Sequence, residues 1–277
     1  MNTIIGSLEG SVVLITGAAM GMGKIYAQLA VKDRASHVVL WDVNEETLNA
    51  TAAELSGGAS EIHPYVVDVS KLEDIQAAAE RVRSEVGSPD VLINNAGIVR
   101  GKYFWEHEQS SDIALTMNIN SLALMHITRE FLPAMIERKR TSRIVNVASA
   151  AGLLANPKMS VYCSSKWAVI GWSESLRLEL KQAGHGHIGV TTFCPSYIKT
   201  GMFEGARGPL LTPLLEPEDV TERVWKAMKA ATPIVMMPWT VKLSTALRGV
   251  LPVAAWDVVA DKVFGVYKSM DHFTGRK

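Results

Sequence analysis

Val12-Val13-Leu14-Ile15-Thr16-Gly17-Ala18-Ala19-Met20-Gly21-Met22-Gly23 is the stretch on which the fold turns. Its first half is a short, β-branched run without polar alternation, the pattern of a strand covered on both faces. Its second half is a glycine-rich turn, and from Lys24 to Lys32 apolar residues recur at helical spacing. The same alternation continues outward. Residues 38–41, 62–67, 91–94, 143–147 and 190–194 read as further strands, and 44–55, 72–86, 112–137 and 160–181 as helices between them. Residues 233–237 suggest a last strand. This order calls for an α/β chain with a doubly wound, mainly parallel sheet of about seven strands and helices on both faces. No repeat or low-complexity linker interrupts it, so residues 1–277 are expected to form one domain.

A glycine turn between a strand and a helix has a specific use. Gly17, Gly21 and Gly23 permit the tight turn and let the backbone at Ala19, Met20 and Met22 approach a pyrophosphate, whose charge meets amide N–H groups at the helix start. This is the dinucleotide cradle of a Rossmann fold. Asp42 ends the second strand, nineteen residues beyond Gly23. A carboxylate there accepts hydrogen bonds from both hydroxyls of an adenosine ribose and repels a 2′-phosphate. No Arg or Lys occurs in Val43-Asn44-Glu45-Glu46, which favours NAD over NADP; the alternative is that Asp42 merely caps the next helix. Asp68-Val69 ends the third strand, where an acid meets an adenine amine. Asn94-Asn95-Ala96-Gly97 ends the fourth, with small residues that leave space and Asn side chains that tie loops together. Taken alone, both also read as plain turns.

Composition narrows the field. Apolar residues make up 48% of the chain, enough for a sizeable core, and 28 Lys and Arg balance 28 Asp and Glu. That balance speaks against a nucleic-acid partner, which needs a clustered basic excess. The two cysteines, Cys163 and Cys194, fit neither a metal-ligand spacing nor a secreted disulfide framework, and no metal is expected. Cys163 reads as a small buried thiol. The first strand begins too early for a signal peptide, and no apolar run approaches about 18 residues. A soluble, cytoplasmic chain is the expectation.

The chemistry concentrates further along. Tyr162 and Lys166 sit four residues apart in Tyr162-Cys163-Ser164-Ser165-Lys166, with Ser149 thirteen residues upstream of Tyr162. On a helix that spacing puts phenol and ammonium on one face. A free phenol, with a pKa of about 10, is a poor base at neutral pH, and a neighbouring cation favours its phenolate.

These residues, with Thr16-Gly17-x-x-x-Gly21-x-Gly23, Asn94-Asn95-Ala96-Gly97, Asn118 and Pro195, resemble the single-domain branch of the short-chain dehydrogenase/reductase superfamily over residues 10–200. The resemblance implies that Tyr162 is the general acid/base and that Lys166 assists it while holding the nicotinamide ribose. It further implies that Ser149 hydrogen-bonds the substrate oxygen and that Asn118 binds a water linking Lys166 to solvent. A buried Asn118 that distorts its own helix is the plainer alternative. Pro195, Ile198 and Thr200 resemble the segment that orients the carboxamide end of the cofactor, although Ser196 stands where the family usually has Gly.

Substrate choice falls to the region after residue 200. Residues 197–216 suggest a long loop around one short helix, acting as a lid, and 239–270 a helical segment broken at Pro252. Met202, Phe203, Leu210, Leu211, Leu214 and Leu215 make the lid apolar, and Tyr103, Phe104 and Trp105 crowd another loop expected at the pocket. A lipophilic alcohol or ketone suits such walls; packing within the protein or against a second subunit is the alternative. The tail resembles, more loosely, retinol and 17β-hydroxysteroid dehydrogenases. The expected activity is NAD(H)-dependent interconversion of a lipophilic alcohol and a carbonyl, with a homodimer or homotetramer as the assembly. A reductase of smaller carbonyls or 3-oxoacyl chains is the alternative within the class, and a non-catalytic dinucleotide sensor the alternative outside it.

Overall fold

The computed structural model describes residues 4–275, so the ends of the expected 1–277 domain, residues 1–3 and 276–277, lie outside the described residues. The chain makes β1 (Val12–Thr16), β2 (His37–Asp42), β3 (Glu61–Val66), β4 (Val91–Asn94), β5 (Ser142–Val147), β6 (Ile188–Pro195) and β7 (Ile234–Met237). They form one seven-stranded sheet in the order β3-β2-β1-β4-β5-β6-β7. Every adjacent pair is parallel.

The absence of polar alternation in these strands now has its cause. Val13, Ile15, Val38, Leu40 and Ile93 pack into one apolar cluster, while Leu14, Val39, Trp41 and Leu92 pack into another on the opposite face. Successive side chains point to opposite faces, and helices cover both, so both sets must be apolar. β3 departs from this rule because it is the edge strand. Only Tyr65 in it is buried, and Pro64, which has no N–H to give a ladder, is tolerated there.

Strand order reverses between β1 and β4, which opens a crevice at their carboxyl ends. Helices Gly21–Lys32, Glu45–Leu55 and Leu72–Glu85 return the chain across the first half. The run expected as one helix at 112–137 spans 109–138 and is not uniform. Wide π turns at Gln109–Ala114 and Asn118–Leu122 flank the short α turn Leu115–Met117, and a regular α-helix follows over Ala123–Arg138. Helix Ser160–Gln182 carries Tyr162 and Lys166.

After β6 the segment 197–216 contains turns and no helix, against expectation. Its two ends are tied by a parallel bridge between Ile198 and Leu215. Helix Pro217–Lys229 then starts with Pro in its first turn and Glu218 and Asp219 beside it, where the helix dipole favours acids. The tail forms helices Trp239–Val250 and Val253–Val258, broken at Pro252 as the sequence predicts. It folds back over the segment 197–216: Arg207 N–H donates to Ser269 O (2.9 Å) and Leu210 N–H to Phe264 O (2.8 Å). Among the described residues no helix is long and apolar enough to cross a membrane.

Candidate active site

The cradle is built where β1 ends. Gly17 has φ +63° and Gly21 φ +55°, left-handed values that cost other residues energy. Gly23 is needed for space: a Cβ there would lie 1.9 Å from the Gly17 carbonyl oxygen. Helix Gly21–Lys32 begins without a capping side chain from Met20, its N-cap residue, leaving its start suited to an anion. Thr200 leans across from the segment after β6, its methyl 3.6 Å from where a Cβ of residue 21 would sit.

The ends of β1 and β4 are sewn together. Thr16 Oγ1 accepts the amides of Asn95 and Ala96, both at 3.0 Å, and Asn95 Nδ2 donates to the carbonyls of Thr16 (2.9 Å) and Gly17 (3.1 Å). Asp42 Oδ2 accepts from Ala19 N–H (3.0 Å) and its Oδ1 from Asn44 N–H (3.1 Å). The next helix is capped by Asn44, whose Oδ1 accepts from Thr47 N–H, so capping is not the task of Asp42. Each Asp42 oxygen uses one acceptor site and keeps another. Asp68 Oδ1 accepts from the amide and hydroxyl of Ser70. Partial burial opposes its ionisation, but Ser70 and Lys71 prevail and hold its carboxyl below the usual value. Asp42, Val43, Asp68, Val69, Ala96 and Gly97 all line one cleft of ≈ 1040 Å³ with the glycine turn.

A narrower pocket continues from Asn95 and Gly97 to Ser149, Tyr162, Lys166, Pro195, Ile198 and Thr200. Ser149 stands just past β5 as the N-cap of a short turn, its hydroxyl accepting from Ala151 N–H (3.1 Å). Lys166 Nζ donates to Val147 O (2.8 Å) and lies 5.8 Å from the Tyr162 ring centre. Ser196 takes its family-atypical place without disturbing the strand end, its amide bonding Met237 O on β7 (2.8 Å).

Asn118 is not among the residues brought together. It is half-exposed and makes no side-chain hydrogen bond to any described residue. Asn120, two residues on and therefore on about the opposite side of the helix, is buried inside the site. Its Oδ1 accepts from Ile98 N–H (2.8 Å), and its Nδ2 donates to Ile98 O (2.9 Å) and to Ser165 Oγ (3.1 Å). Ser121 Oγ donates to Ser165 O (2.9 Å), and Ser165 Oγ donates to Tyr162 O (2.7 Å). The π turn thus grips the helix between Tyr162 and Lys166 and ties it to the loop after β4. Sequence reading missed Asn120, Ser121 and Ser165; Met117-Asn118-Ile119-Asn120 offers two asparagines on different sides of the helix, and which of them meets Ser165 is set by the π turn.

Burial acts on both ionisable groups and drives both toward neutrality. It pushes the Tyr162 phenol well above its ordinary value, with the Ser149 hydroxyl pulling the other way, and it brings the Lys166 ammonium down to about 8. The neighbouring cation expected to lower Tyr162 does not by itself outweigh desolvation. Cys163 and Cys194 are buried free thiols raised by the same effect, Cys194 to about 12.

Beyond Ser149 opens a hollow of ≈ 630 Å³. Of the expected lid residues Phe203 lines it and Met202 lines the narrower pocket, but Leu210, Leu211 and Leu214 are exposed. Tyr103, Phe104 and Trp105 also face solvent, Trp105 at 79% exposure, with Tyr103 and Trp105 stacked on each other. The walls come instead from Leu154, Met159, Val241, Phe264 and Val266. Asn156 is a polar member of the same wall. Its Nδ2 donates to the hydroxyls of Tyr197 (3.1 Å) and Ser269 (2.8 Å), while its Oδ1 is buried with no partner among the described residues.

Comparison with known proteins agrees with this arrangement. A family model described as short chain dehydrogenase matches residues 11–209. The chain belongs to the short-chain dehydrogenase family. This dehydrogenase is accordingly an oxidoreductase acting on CH–OH donors. It is 37% identical over 246 residues to Estradiol 17-beta-dehydrogenase 11 of Pongo abelii, covering 89% of this chain and 81% of the relative. It is 35% identical to Epidermal retinol dehydrogenase 2 of Mus musculus, covering 98% and 87%. The subgroup suggested by the tail is therefore the right one. Among solved structures, a short-chain dehydrogenase/reductase from Burkholderia phymatum in complex with NAD superposes with a TM-score of 0.80 at 28% identity, covering 88% of this chain and 95% of that one. A metagenomic short-chain oxidoreductase in complex with NADP gives 0.68 at 29% identity, covering 83% and 96%. Neighbours of this fold thus hold either dinucleotide.

Proposed function

We propose that this dehydrogenase uses NAD to interconvert a lipophilic alcohol and its carbonyl, of the retinoid, steroid or fatty-alcohol type. The observation that carries this reading is the continuity of the site: Ser149, Ser196 and Phe203 line both the pocket of Tyr162 and Lys166 and the apolar hollow beyond it. A substrate carbon beside Tyr162 would have its apolar remainder in that hollow. Names of the relatives, an estradiol and a retinol dehydrogenase, point to the same substrate class.

The dinucleotide fits the cleft on this structure's own features, namely left-handed glycines, an uncapped helix start and spare acceptor capacity on Asp42. Two carboxylates and no Lys or Arg line it, which supports NAD over NADP. When bound, the nicotinamide accepts or returns the hydride. The chain's residues handle the proton. In oxidation the Tyr162 phenolate takes the hydroxyl proton of the alcohol; in reduction the phenol gives it to the carbonyl oxygen. Ser149 donates to that oxygen as charge develops. Lys166, anchored on Val147 O, keeps a positive charge beside the phenol below a pH of about 8. Asn120 positions this pair through Ser165, and Asn118 keeps the water-binding role that the family resemblance implies.

The test is a panel of retinoids, steroids, fatty alcohols and short alcohols, assayed for NADH and NADPH formation. Turnover of the lipophilic members with NAD is expected. Activity confined to short alcohols, or to NADP, would overturn the reading.

A further inference from the structure

Far from the cleft, at the amino ends of β2 and β3, three donor groups share one face of the sheet. His37 on β2 lies in register with Glu61 on β3, and His63, two residues along, points the same way. Because β3 is the edge strand, no further strand among the described residues covers them. His37 Nδ1 is 3.1 Å from His63 Nε2 and 3.5 Å from Glu61 Oε2, and His63 Nε2 is 3.8 Å from that same oxygen. These are single atoms, one from each residue, arranged as a closed triangle. The in-plane point equidistant from all three lies about 2.0 Å from each, and an ion about 0.6 Å above that plane lies about 2.1 Å from each, by the geometry of those separations. Zinc binds imidazole nitrogen at about 2.0–2.1 Å and carboxylate oxygen at about 2.0–2.2 Å, so the triangle is one face of a coordination tetrahedron.

We propose that His37, Glu61 and His63 form a binding site for a late first-row divalent cation, Zn²⁺ above all, with the fourth position open to water. Two imidazoles and one carboxylate are the donor set such ions select over Mg²⁺ or Ca²⁺, which prefer oxygen alone. A plain hydrogen bond between the rings would account for the shortest separation but not for the carboxylate oxygen closing on both nitrogens. Binding needs both facing nitrogens bare, so the ring that donates between the two imidazoles carries its proton on its outer nitrogen instead and stays neutral. Glu85, held by the Tyr65 hydroxyl, adds a second negative charge felt by His63. The ion would clamp edge strand β3 to β2, at the end of the sheet opposite the dinucleotide cleft. This inference is independent of substrate and cofactor.

The full chain, stripped with a chelator and exchanged into chelator-free buffer near neutral pH, is titrated with ZnCl₂ in a calorimeter. One Zn²⁺ per chain with micromolar or tighter affinity is expected. His37→Ala and His63→Ala should each weaken it by about tenfold or more, and Glu61→Gln by less. His185→Ala, at a separate histidine pair, should leave it unchanged. The side chains of His37, Glu61 and His63 are 31%, 71% and 23% exposed, so these variants keep their core, which circular dichroism checks. Zn²⁺ should also raise the unfolding midpoint of the wild type and not that of the His37→Ala/His63→Ala double variant. Absence of stoichiometric binding to the wild type, or binding that persists in the double variant, would overturn the proposal.

Discussion

The dinucleotide cleft and the apolar hollow are joined by the narrow pocket of Ser149, Tyr162 and Lys166, yet they are built in opposite ways. The cleft is made of backbone and short polar side chains at strand ends, and the bonds of Thr16, Asp42 and Asn95 hold it within one sheet edge. The hollow is made of side chains, large and small, drawn from four separate stretches around residues 149–159, 196–212, 240–244 and 264–266. The difference follows from what each must recognise. A pyrophosphate and a ribose are the same in every partner, so few residue types at set spacings serve. An apolar shape has many solutions, and no spacing records it.

The largest effect should come at the junction. Tyr162→Phe removes the proton carrier and keeps the ring, so kcat should fall by about 10²–10⁴-fold. Cofactor affinity, measured by fluorescence quenching, should hardly change; a parallel loss would show that cleft and hollow are not separable. Ser244→Phe fills the hollow without touching the cleft. It should cut kcat/KM for a bulky alcohol by about 10–200-fold while sparing a short one. Equal loss for both would mean that the hollow does not take substrate.

Asp42→Ala tests the other side. Losing a hydrogen bond to a charged group costs about 1.5–3 kcal/mol, which is roughly ten- to 150-fold in the Kd for NAD. NADP binding should stay level or improve. The pH profile sharpens the comparison further. Burial raises Tyr162, so the phenol persists through neutral pH. Oxidation, which needs phenolate, should therefore speed up as pH rises, by about tenfold per unit on its limiting limb, and reduction should slow. Lys166→Met should move the oxidation limb to higher pH, and an unmoved limb would remove Lys166 from the proton's energetics.

The smallest effect concerns which asparagine matters. Asn120→Ala strands the amide of Ile98 and the hydroxyl of Ser165, at about 1–3 kcal/mol in chemical denaturation. Asn118→Ala should stay within about 0.5 kcal/mol. The reverse ranking would show that Asn120 does not hold the loop after β4 to the helix of Tyr162 and Lys166.

Much of the cleft was legible before any coordinates. The alternation of strands and helices, the glycine turn, the place of Asp42 and the spacing of Tyr162 and Lys166 depend on short-range periods of two and 3.6 residues and on steric rules that act within a few positions. The hollow was not. Tyr103, Phe104 and Trp105 have the composition of a pocket wall and face water, while Val241 and Phe264 lie in a plain helical tail and form the wall.

By itself, then, the chain's local pattern determined a parallel, two-faced sheet, a cradle at its carboxyl edge and a phenol one helical turn from an ammonium. Tertiary structure alone decided that Asn120 enters the site, because π turns set the phase of that helix against Ser165. It alone brought His37, Glu61 and His63 together, since strand register is a contact between segments distant in sequence. It alone made the hollow, because apolar burial is non-directional and is settled only when every element has found its neighbours.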